Sequence, residues 1–155
     1  MTRDEFRQQY DAYEWDPYAP LAVILMSGTR AYIDVPEQAT FTDTEVVITR
    51  RRHPNRPEKY PFADIARLVP LDQLPADPGS MSYAEFDPLI RELLMAEPFQ
   101  PFVVELKTGE RVEITRRPEI GRMGRFVSFH KGNSHTSQTY DHIARFVPHT
   151  ATVPT

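Results

Sequence analysis

The stretch Ala63-Asp64-Ile65-Ala66-Arg67-Leu68-Val69-Pro70 decides the fold, because it returns near the end of the chain as Asp141-His142-Ile143-Ala144-Arg145-Phe146-Val147-Pro148. Both runs hold Ile-Ala-Arg, one further apolar residue and Val-Pro in the same order. The recurrence of such a run after 78 residues indicates that a whole structural unit is repeated.

Two further pairs of runs support the repeat. Asp16-Pro17-Tyr18-Ala19-Pro20 matches Glu97-Pro98-Phe99-Gln100-Pro101, and Ser27-Gly28-Thr29-Arg30 matches Thr108-Gly109-Glu110-Arg111. The spacing is 81 residues at these prolines and glycines, against 78 at the closing Ile-Ala-Arg. A change this small indicates insertions confined to loops, so the sequence predicts two tandem copies of one small domain.

The repeat sets the expected domain limits. We expect a first helix-plus-barrel repeat at 1–70, a linker at 71–80, a second repeat at 81–148 and a disordered tail at 149–155. A domain of roughly 70 residues buries only about 60% of the surface that its unfolded chain exposes. The two copies are therefore expected to lean on each other or on a further subunit.

Composition narrows the class of protein. The chain has 155 residues, no cysteine and a formal net charge of −4. The missing cysteine excludes disulfides and thiolate metal sites and favours a reducing compartment. The first residues do not resemble a signal peptide, and the longest apolar run, 21–26, is far shorter than a membrane span. A cytoplasmic protein is the expectation, and the acidic balance mildly disfavours a general nucleic-acid binder.

Each copy is predicted to begin with a helix. Ser82-Tyr83-Ala84-Glu85 forms the pattern of a capping box, and Thr2-Arg3-Asp4-Glu5 repeats it. Apolar side chains follow at helical spacing in both copies: Phe86, Leu89, Ile90, Leu93 and Leu94 in the second, and Phe6, Tyr10 and Tyr13 in the first. Because Pro88 lies close to the box, a later start with Asp87 as the N-cap is an alternative.

After each helix the apolar period changes to two, which predicts about five short antiparallel strands per copy. In the second copy the strands contain Phe102, Val104 and Leu106, then Val112 and Ile114, then 126–129, 136–140 and 145–147. In the first copy they contain Leu21, Val23 and Leu25, then Ala31 and Ile33, Val46 and Ile48, Tyr60, and Ile65, Leu68 and Val69. One helical turn at His142 precedes the last strand. The predicted fold class is mainly β (α+β): two tandem SH3-like or Sm-like small barrels, each preceded by a helix.

Differences between the copies suggest an interaction surface. Ile24, Met26 and Tyr32 of the first copy occupy positions where the second copy has Glu105, Lys107 and Glu113. Strand alternation places these three apolar side chains outside the first barrel's core. We expect them to be covered by the second barrel, by the N-terminal helix or by another chain. A sheet sandwiched under its own helix is an equally good alternative.

Two groups of basic residues are candidate ligand or nucleic-acid contacts. The first lies in a predicted loop, 50–59, that is three residues longer than its counterpart at 131–136. The second is predicted to lie between the second and third strands of the second copy. The candidates are Arg50, Arg51, Arg52, Arg56 and Lys59, with Arg116, Arg117, Arg122 and Arg125. Arginines bind phosphates, and the nearby aromatic rings of Tyr60 and Phe62 could stack on bases. A solvated loop stiffened by prolines is the alternative.

The sequence offers no catalytic pattern. Its four C-terminal histidines, at 130, 135, 142 and 149, have spacings of five, seven and seven, which match no familiar metal motif. No nucleophile elbow and no glycine-rich phosphate loop is present in the sequence. We therefore expect no enzyme, no cofactor and no metal.

One run also carries a resemblance. The run 94–102, ending in Pro98-Phe99-Gln100-Pro101-Phe102, is followed by Thr108-Gly109 and Arg117-Pro118-Glu119. Together they resemble a family of short bacterial proteins of unassigned function, whose pattern is a helix, Pro-Phe-x-Pro-Phe, a strand, an Asp-Gly-type turn, a strand and His-Pro-Glu. The resemblance covers 82–148 well and 2–70 loosely, and extends more distantly to Sm-like barrels. It implies a bacterial protein, and in Sm-like barrels the loop that holds the second basic group helps to bind RNA.

The expected function is that of a non-enzymatic binding or assembly module that acts on a protein partner or on a second copy of itself. Binding of single-stranded RNA or DNA through the basic residues is the alternative. No contact with a membrane is expected.

Overall fold

The structure, a computed structural model, describes residues 1–16 and 19–148 and divides into two compact units, Met1–Leu71 and Asp72–Thr155. The first residues of segment 71–80, which was predicted to be a linker, are packed and hydrogen-bonded. Leu71 and Leu74 are buried, and the amide of Leu71 donates to the carbonyl of Pro20 at 2.9 Å. The predicted tail, 149–155, lies outside the described residues.

The two units have the same order of elements: a helix, two strands, a 3₁₀ turn, three strands, a second 3₁₀ turn and a last strand. The first unit contains α1 (Arg3–Ala12), β1 (Leu21–Leu25), β2 (Arg30–Ile33), β3 (Ala39–Phe41), β4 (Glu45–Arg50), β5 (His53–Pro61) and β6 (Ile65–Pro70). The second contains α2 (Tyr83–Met95), β7 (Phe102–Leu106), β8 (Arg111–Ile114), β9 (Ile120–Met123), β10 (Phe126–Lys131), β11 (Ser134–Thr139) and β12 (Ile143–Pro148).

Each unit builds two small antiparallel sheets. The strand orders are β2-β1-β6 and β3-β4-β5 in the first unit, and β8-β7-β12 and β9-β10-β11 in the second. The first hairpin of each unit turns at a glycine, Gly28 or Gly109, whose φ of +90° or +93° disfavours other residues. The prediction of a mainly β protein with two helices is confirmed for the described residues, which form four three-stranded sheets.

The helix starts follow the predicted caps. The Thr2 hydroxyl accepts from the amide of Glu5 at 3.1 Å, and Ser82 forms a full capping box with Glu85. Pro88 lies inside α2, so the alternative start at Asp87 is wrong. Not every residue of the predicted apolar stripe is buried, because Leu89 remains 42% exposed.

Two short strands and one long one differ from the sequence prediction. Strands β3 and β9 were not predicted. The predicted loop 50–59 is mostly strand: Arg51 and Arg52 form the turn, and β5 begins at His53. Of the second basic group, Arg122 lies on β9 and Arg117 in a 3₁₀ turn, Arg117–Glu119, whereas Arg116 and Arg125 lie in a bend and a turn.

Aromatic rings fill the core beneath each helix. In the first unit Phe6 is fully buried, and its ring lies 5.7 Å from that of Phe41 and 5.4 Å from that of Phe62. In the second unit the ring of Phe86 lies 5.9 Å from that of Tyr140. Full burial of one such side chain contributes about 1.5–3 kcal/mol, so each helix is held to its sheets mainly by these rings.

Within residues 1–16 and 19–148, neither helix combines the length and the apolar character needed to cross a bilayer.

Candidate binding surface

The hairpin formed by β4 and β5 carries the largest group of free cations in the first unit. We call residues 50–61 the basic hairpin. Arg51 and Arg52 form its turn, and Arg56 and Lys59 lie on β5, which is an edge strand. All four side chains are exposed, and none forms a hydrogen bond or ion pair within the described part of the chain. This hairpin therefore presents four positive charges to solvent.

The shape of the basic hairpin comes from three extra residues in β5. Arg50 pairs with His53 and Ile48 pairs with Glu58, so two steps along β4 correspond to five steps along β5. In the second unit the equivalent hairpin is regular throughout, from Phe126 opposite Thr139 to Lys131 opposite Ser134. The insertion predicted from the sequence is thus a three-residue irregularity of β5, which breaks its register with β4 between Ile48 and Arg50.

Arg50, at the base of the basic hairpin, is not free. Its guanidinium lies 2.7 Å from Glu58 Oε2 and 3.1 Å from Asp34 Oδ2, and it donates to the carbonyl of Tyr32 at 2.7 Å. The other carboxylate oxygen of Glu58 accepts from the Tyr60 hydroxyl at 2.8 Å. Burial and this hydrogen bond raise the pKa of Tyr60 to about 12. Arg50 thus serves the fold rather than a ligand.

The second unit contains an equivalent node, meaning a cation held by a backbone carbonyl and a carboxylate, but its carboxylate comes from a different position. Lys131 donates to the carbonyl of Glu113 at 2.7 Å and lies 3.0 Å from Glu119 Oε2. Glu119 Oε1 accepts from the amide of Thr115 at 2.7 Å and from the amide of Arg116 at 3.2 Å. These hydrogen bonds, that of the Thr115 amide above all, lower the pKa of Glu119 to about 2.

Both nodes keep a cation, a carbonyl and a carboxylate, although the carboxylate occupies different positions in the two units. The cation and the carbonyl that it binds are 18 residues apart in both units. The side-chain oxygen that caps the 3₁₀ turn belongs to Gln38 in the first unit and to Glu119 in the second. In the first unit the cap is the neutral Gln38, and Asp34 supplies the negative charge. In the second unit the cap is the carboxylate of Glu119, and Thr115 occupies the position equivalent to Asp34.

Three of the four arginines predicted as contacts in the second unit are engaged within it. Arg122 is the most deeply placed, with a side chain only 3% exposed, 2.6 Å from Asp87 Oδ1 and 2.9 Å from the Tyr83 hydroxyl. Burial raises the pKa of Tyr83 to about 12 even though this guanidinium opposes the shift. Arg125 is also buried and lies over the ring of Phe126 at 4.3 Å.

Arg117 is engaged within the second unit, whereas Arg116 is not. Arg117 donates to the carbonyl of Ala96 at 2.6 Å and pairs with Glu97 at 3.1 Å. The Arg116 side chain is exposed and has no partner in the described residues. Of the nine predicted cations, five are therefore free, and four of these five lie on the basic hairpin. The sequence did not distinguish Arg117 and Arg122 as engaged, because their partners lie about 20 and 35 residues earlier in the chain.

The two aromatic residues predicted to stack on bases, Tyr60 and Phe62, pack or hydrogen-bond within the first unit. Phe62 is 4% exposed and belongs to the core, so the prediction that its ring could stack on a base is wrong. Tyr60 is half-buried and its hydroxyl is held by Glu58. Neither ring lies open beside the free cations.

The predicted apolar surface is open at one of its three residues. Met26 is 71% exposed, whereas Ile24 and Tyr32 are half-buried on β1 and β2. The carbonyl of Tyr32 is the one that Arg50 binds, so the base of the basic hairpin adjoins this strand.

The described residues bring no catalytic set together. An open hollow of about 310 Å³ in the first unit is lined mainly by apolar groups, among them Leu21, Leu68 and Pro70. One of about 350 Å³ in the second unit includes Lys107, Glu110 and His142 in its lining. Tyr60, Tyr83 and Glu119, which have large pKa shifts, belong to the structural nodes described above.

No protein-family model, curated protein or solved structure matches this chain. The functional conclusion therefore depends on the geometry of its own residues.

Proposed function

We propose that this protein is a non-enzymatic binding module whose first unit engages an acidic segment of a partner protein through the basic hairpin. The observation that carries the proposal is the group of four exposed, unpartnered cations: Arg51, Arg52, Arg56 and Lys59. The carboxylates of Asp34 and Glu58, at the base of the hairpin, are already occupied by Arg50. Nothing else in the hairpin neutralises the four charges.

The energetics fit recognition of modest strength. An exposed ion pair contributes about 0.2–1 kcal/mol, so four such pairs contribute at most a few kcal/mol. Charges of one sign on a projecting hairpin act mainly by accelerating the encounter with an oppositely charged partner. Binding should therefore weaken steeply as salt is added.

An apolar contact would supplement the charges. Met26 is 71% exposed, Ile24 and Tyr32 are half-buried, and the Tyr32 carbonyl accepts from Arg50 at the base of the hairpin. We include these three side chains in the proposed interface, where exposed apolar area and free cations together would match an acidic segment that carries an apolar residue.

We further propose that each unit is an SH3-like or Sm-like small barrel, as the resemblance to short bacterial proteins and Sm-like barrels implies, and that the two units arose by duplication, as the repeated runs of sequence indicate. The order β6-β1-β2 beside β3-β4-β5, with a 3₁₀ turn before the last strand, supports the barrel. The repeated node of Arg50 and Lys131 supports the duplication. A cytoplasmic location, which the missing cysteine favours, completes this proposal.

Single-stranded RNA or DNA is the second candidate ligand. The same free cations favour it, because phosphates bind arginine and lysine without regard to sequence. The neighbouring rings oppose it: Phe62 is buried and the Tyr60 hydroxyl is held, so stacking on bases has no support at this site. A protein partner is therefore the better proposal.

Fluorescence anisotropy with a labelled ten-residue glutamate peptide and with a labelled twenty-residue oligouridylate tests the proposal. The test variant is R51Q/R52Q, and the control is K107Q/R116Q, which removes two exposed cations from the second unit. At low salt the wild-type protein and the control should bind the peptide equally well. The test variant should bind it roughly five- to tenfold more weakly, as expected for the loss of two exposed pairs.

Three results would contradict the proposal. No peptide binding at low salt would exclude the basic hairpin as an anion site. Equal loss in both variants would show that only the net charge matters. Stronger binding of the oligouridylate, lost in the test variant alone, would favour the nucleic-acid alternative.

A further inference from the structure

Two imidazole rings face each other on the second unit. His130 on β10 and His135 on β11 are directly opposite in the strand register, and their rings lie 4.3 Å apart and within 7° of parallel. Both side chains are exposed. The hairpin that carries them keeps one register from Phe126 to Lys131, so its backbone holds the two histidines directly opposite each other.

The nitrogens of this pair are not used by the fold. Neither ring forms a hydrogen bond or ion pair in the part of the chain that the structure describes. His142 differs, because its Nδ1 lies 3.1 Å from the side-chain oxygen of Gln138. The adjacent cation, Lys131, is directed to Glu119, whose carboxylate offsets its charge. Two imidazole rings without a structural partner therefore lie side by side.

Two imidazoles placed opposite each other in this way can share one metal ion. Zinc binds imidazole nitrogen at about 2.0–2.1 Å and lies in the plane of each ring that binds it. The two rings are nearly parallel, with centres 4.3 Å apart, so their lone pairs do not converge in the stacked arrangement. Because both rings are exposed, at least one can turn about its side-chain torsions until both nitrogens reach one ion, without movement of the strands.

We propose that His130 and His135 form a bidentate site for a divalent transition-metal ion of the kind that imidazole prefers, namely Zn²⁺, Ni²⁺ or Cu²⁺. The described residues contain no group of three or more ligating side chains, so the site offers two protein ligands and leaves further positions to water. The spacing of five residues gives no metal motif in the sequence; the antiparallel register brings the two histidines together. This site is independent of the basic hairpin and of its proposed function.

Isothermal titration of the full-length protein with Zn²⁺, and separately with Ni²⁺, tests the site. The variants are H130Q, H135Q and the double variant, and H142Q is the matched control on the same unit. The wild-type protein should bind the ion with micromolar affinity, and H142Q should match it. Each single variant should bind roughly tenfold or more weakly, and the double variant little worse, because a chelating second ligand binds intramolecularly.

The outcome that overturns the proposal is equally specific. Independent histidines would each keep full affinity when the other is removed, and a loss in H142Q would place the ion elsewhere. A measurement without variants guards against misfolding: paramagnetic Ni²⁺ should broaden the ring signals of His130 and His135 before those of the other histidines. Equal broadening of all histidines would also reject the site.

Discussion

Replacing Glu119 separates the two roles of its carboxylate. Its Oε1 accepts from the amides of Thr115 and Arg116 at 2.7 and 3.2 Å and caps the 3₁₀ turn, while its Oε2 pairs with Lys131 at 3.0 Å. Loss of a cap costs about 0.5–2 kcal/mol, and a partly exposed ion pair contributes about 0.2–1 kcal/mol. We therefore expect E119A to lower the free energy of unfolding by about 2 kcal/mol and E119Q by about 1 kcal/mol or less.

The smaller loss in E119Q has a precedent within the chain. Gln38 occupies the equivalent place in the first unit and accepts from the amide of Asp34 at 2.9 Å, which shows that a neutral amide can serve as the cap. A variant that keeps the cap and loses only the charge should therefore isolate the ion pair with Lys131. The matched variant Q38A should cost about 1 kcal/mol, because it removes a cap but no charge.

The difference between the wild-type protein and E119Q should depend on pH. The pKa of Glu119 is about 2 in the folded protein, below the 4.5 of an ordinary glutamate, chiefly because the amide of Thr115 donates to it. The carboxylate therefore stabilises the fold fully above about pH 4.5, and this contribution is lost as the pH falls toward 2. Urea unfolding followed by circular dichroism at pH 7, 4 and 3 measures it. A difference that stays constant or grows with acid would refute the reasoning.

Three further predictions concern the cores and the buried polar groups. F6A should lower the free energy of unfolding by about 3–5 kcal/mol in urea titrations, because the fully buried Phe6 ring holds α1 to its sheets; a loss below about 1 kcal/mol would contradict this packing. D87A should cost about 3 kcal/mol in the same assay because it leaves the Arg122 guanidinium, 3% exposed, without its carboxylate, and D87N should cost less; an unchanged midpoint would contradict the pairing. Ultraviolet titration should find two tyrosines that ionise only near pH 12, Tyr60 and Tyr83, and E58Q should return one of them toward pH 10, since burial and Glu58 hold the pKa of Tyr60 there; an unchanged titration curve in E58Q would rule out the contribution of Glu58.

The sequence predicted the elements whose signals are local. The capping box of Ser82 and Glu85 marked the start of α2, and the glycines at 28 and 109 marked hairpin turns. Alternation of apolar residues found β1 and β7. These features depend on residues within a few positions of one another, so they can be read without knowledge of the tertiary structure.

Other features were missed because their causes are not local. Strand β9, Ile120–Met123, contains a glycine and an arginine and shows no apolar alternation. The prolines and charges of β5 are typical of a loop, yet an edge strand tolerates prolines because one side of its backbone has no sheet partner. Arg122 was predicted to be a surface contact, and only the fold reveals that Asp87, 35 residues earlier, holds it in a buried position.

A titration of the ¹⁵N-labelled protein with the glutamate peptide, followed by NMR at low salt, locates the binding surface residue by residue. Amide shifts should change in the basic hairpin, residues 50–61, and around Met26, and 300 mM salt should reverse these changes. Shifts that cluster in the second unit, or none within 50–61 at saturation, would contradict the claim that the four free cations of this hairpin form the binding surface.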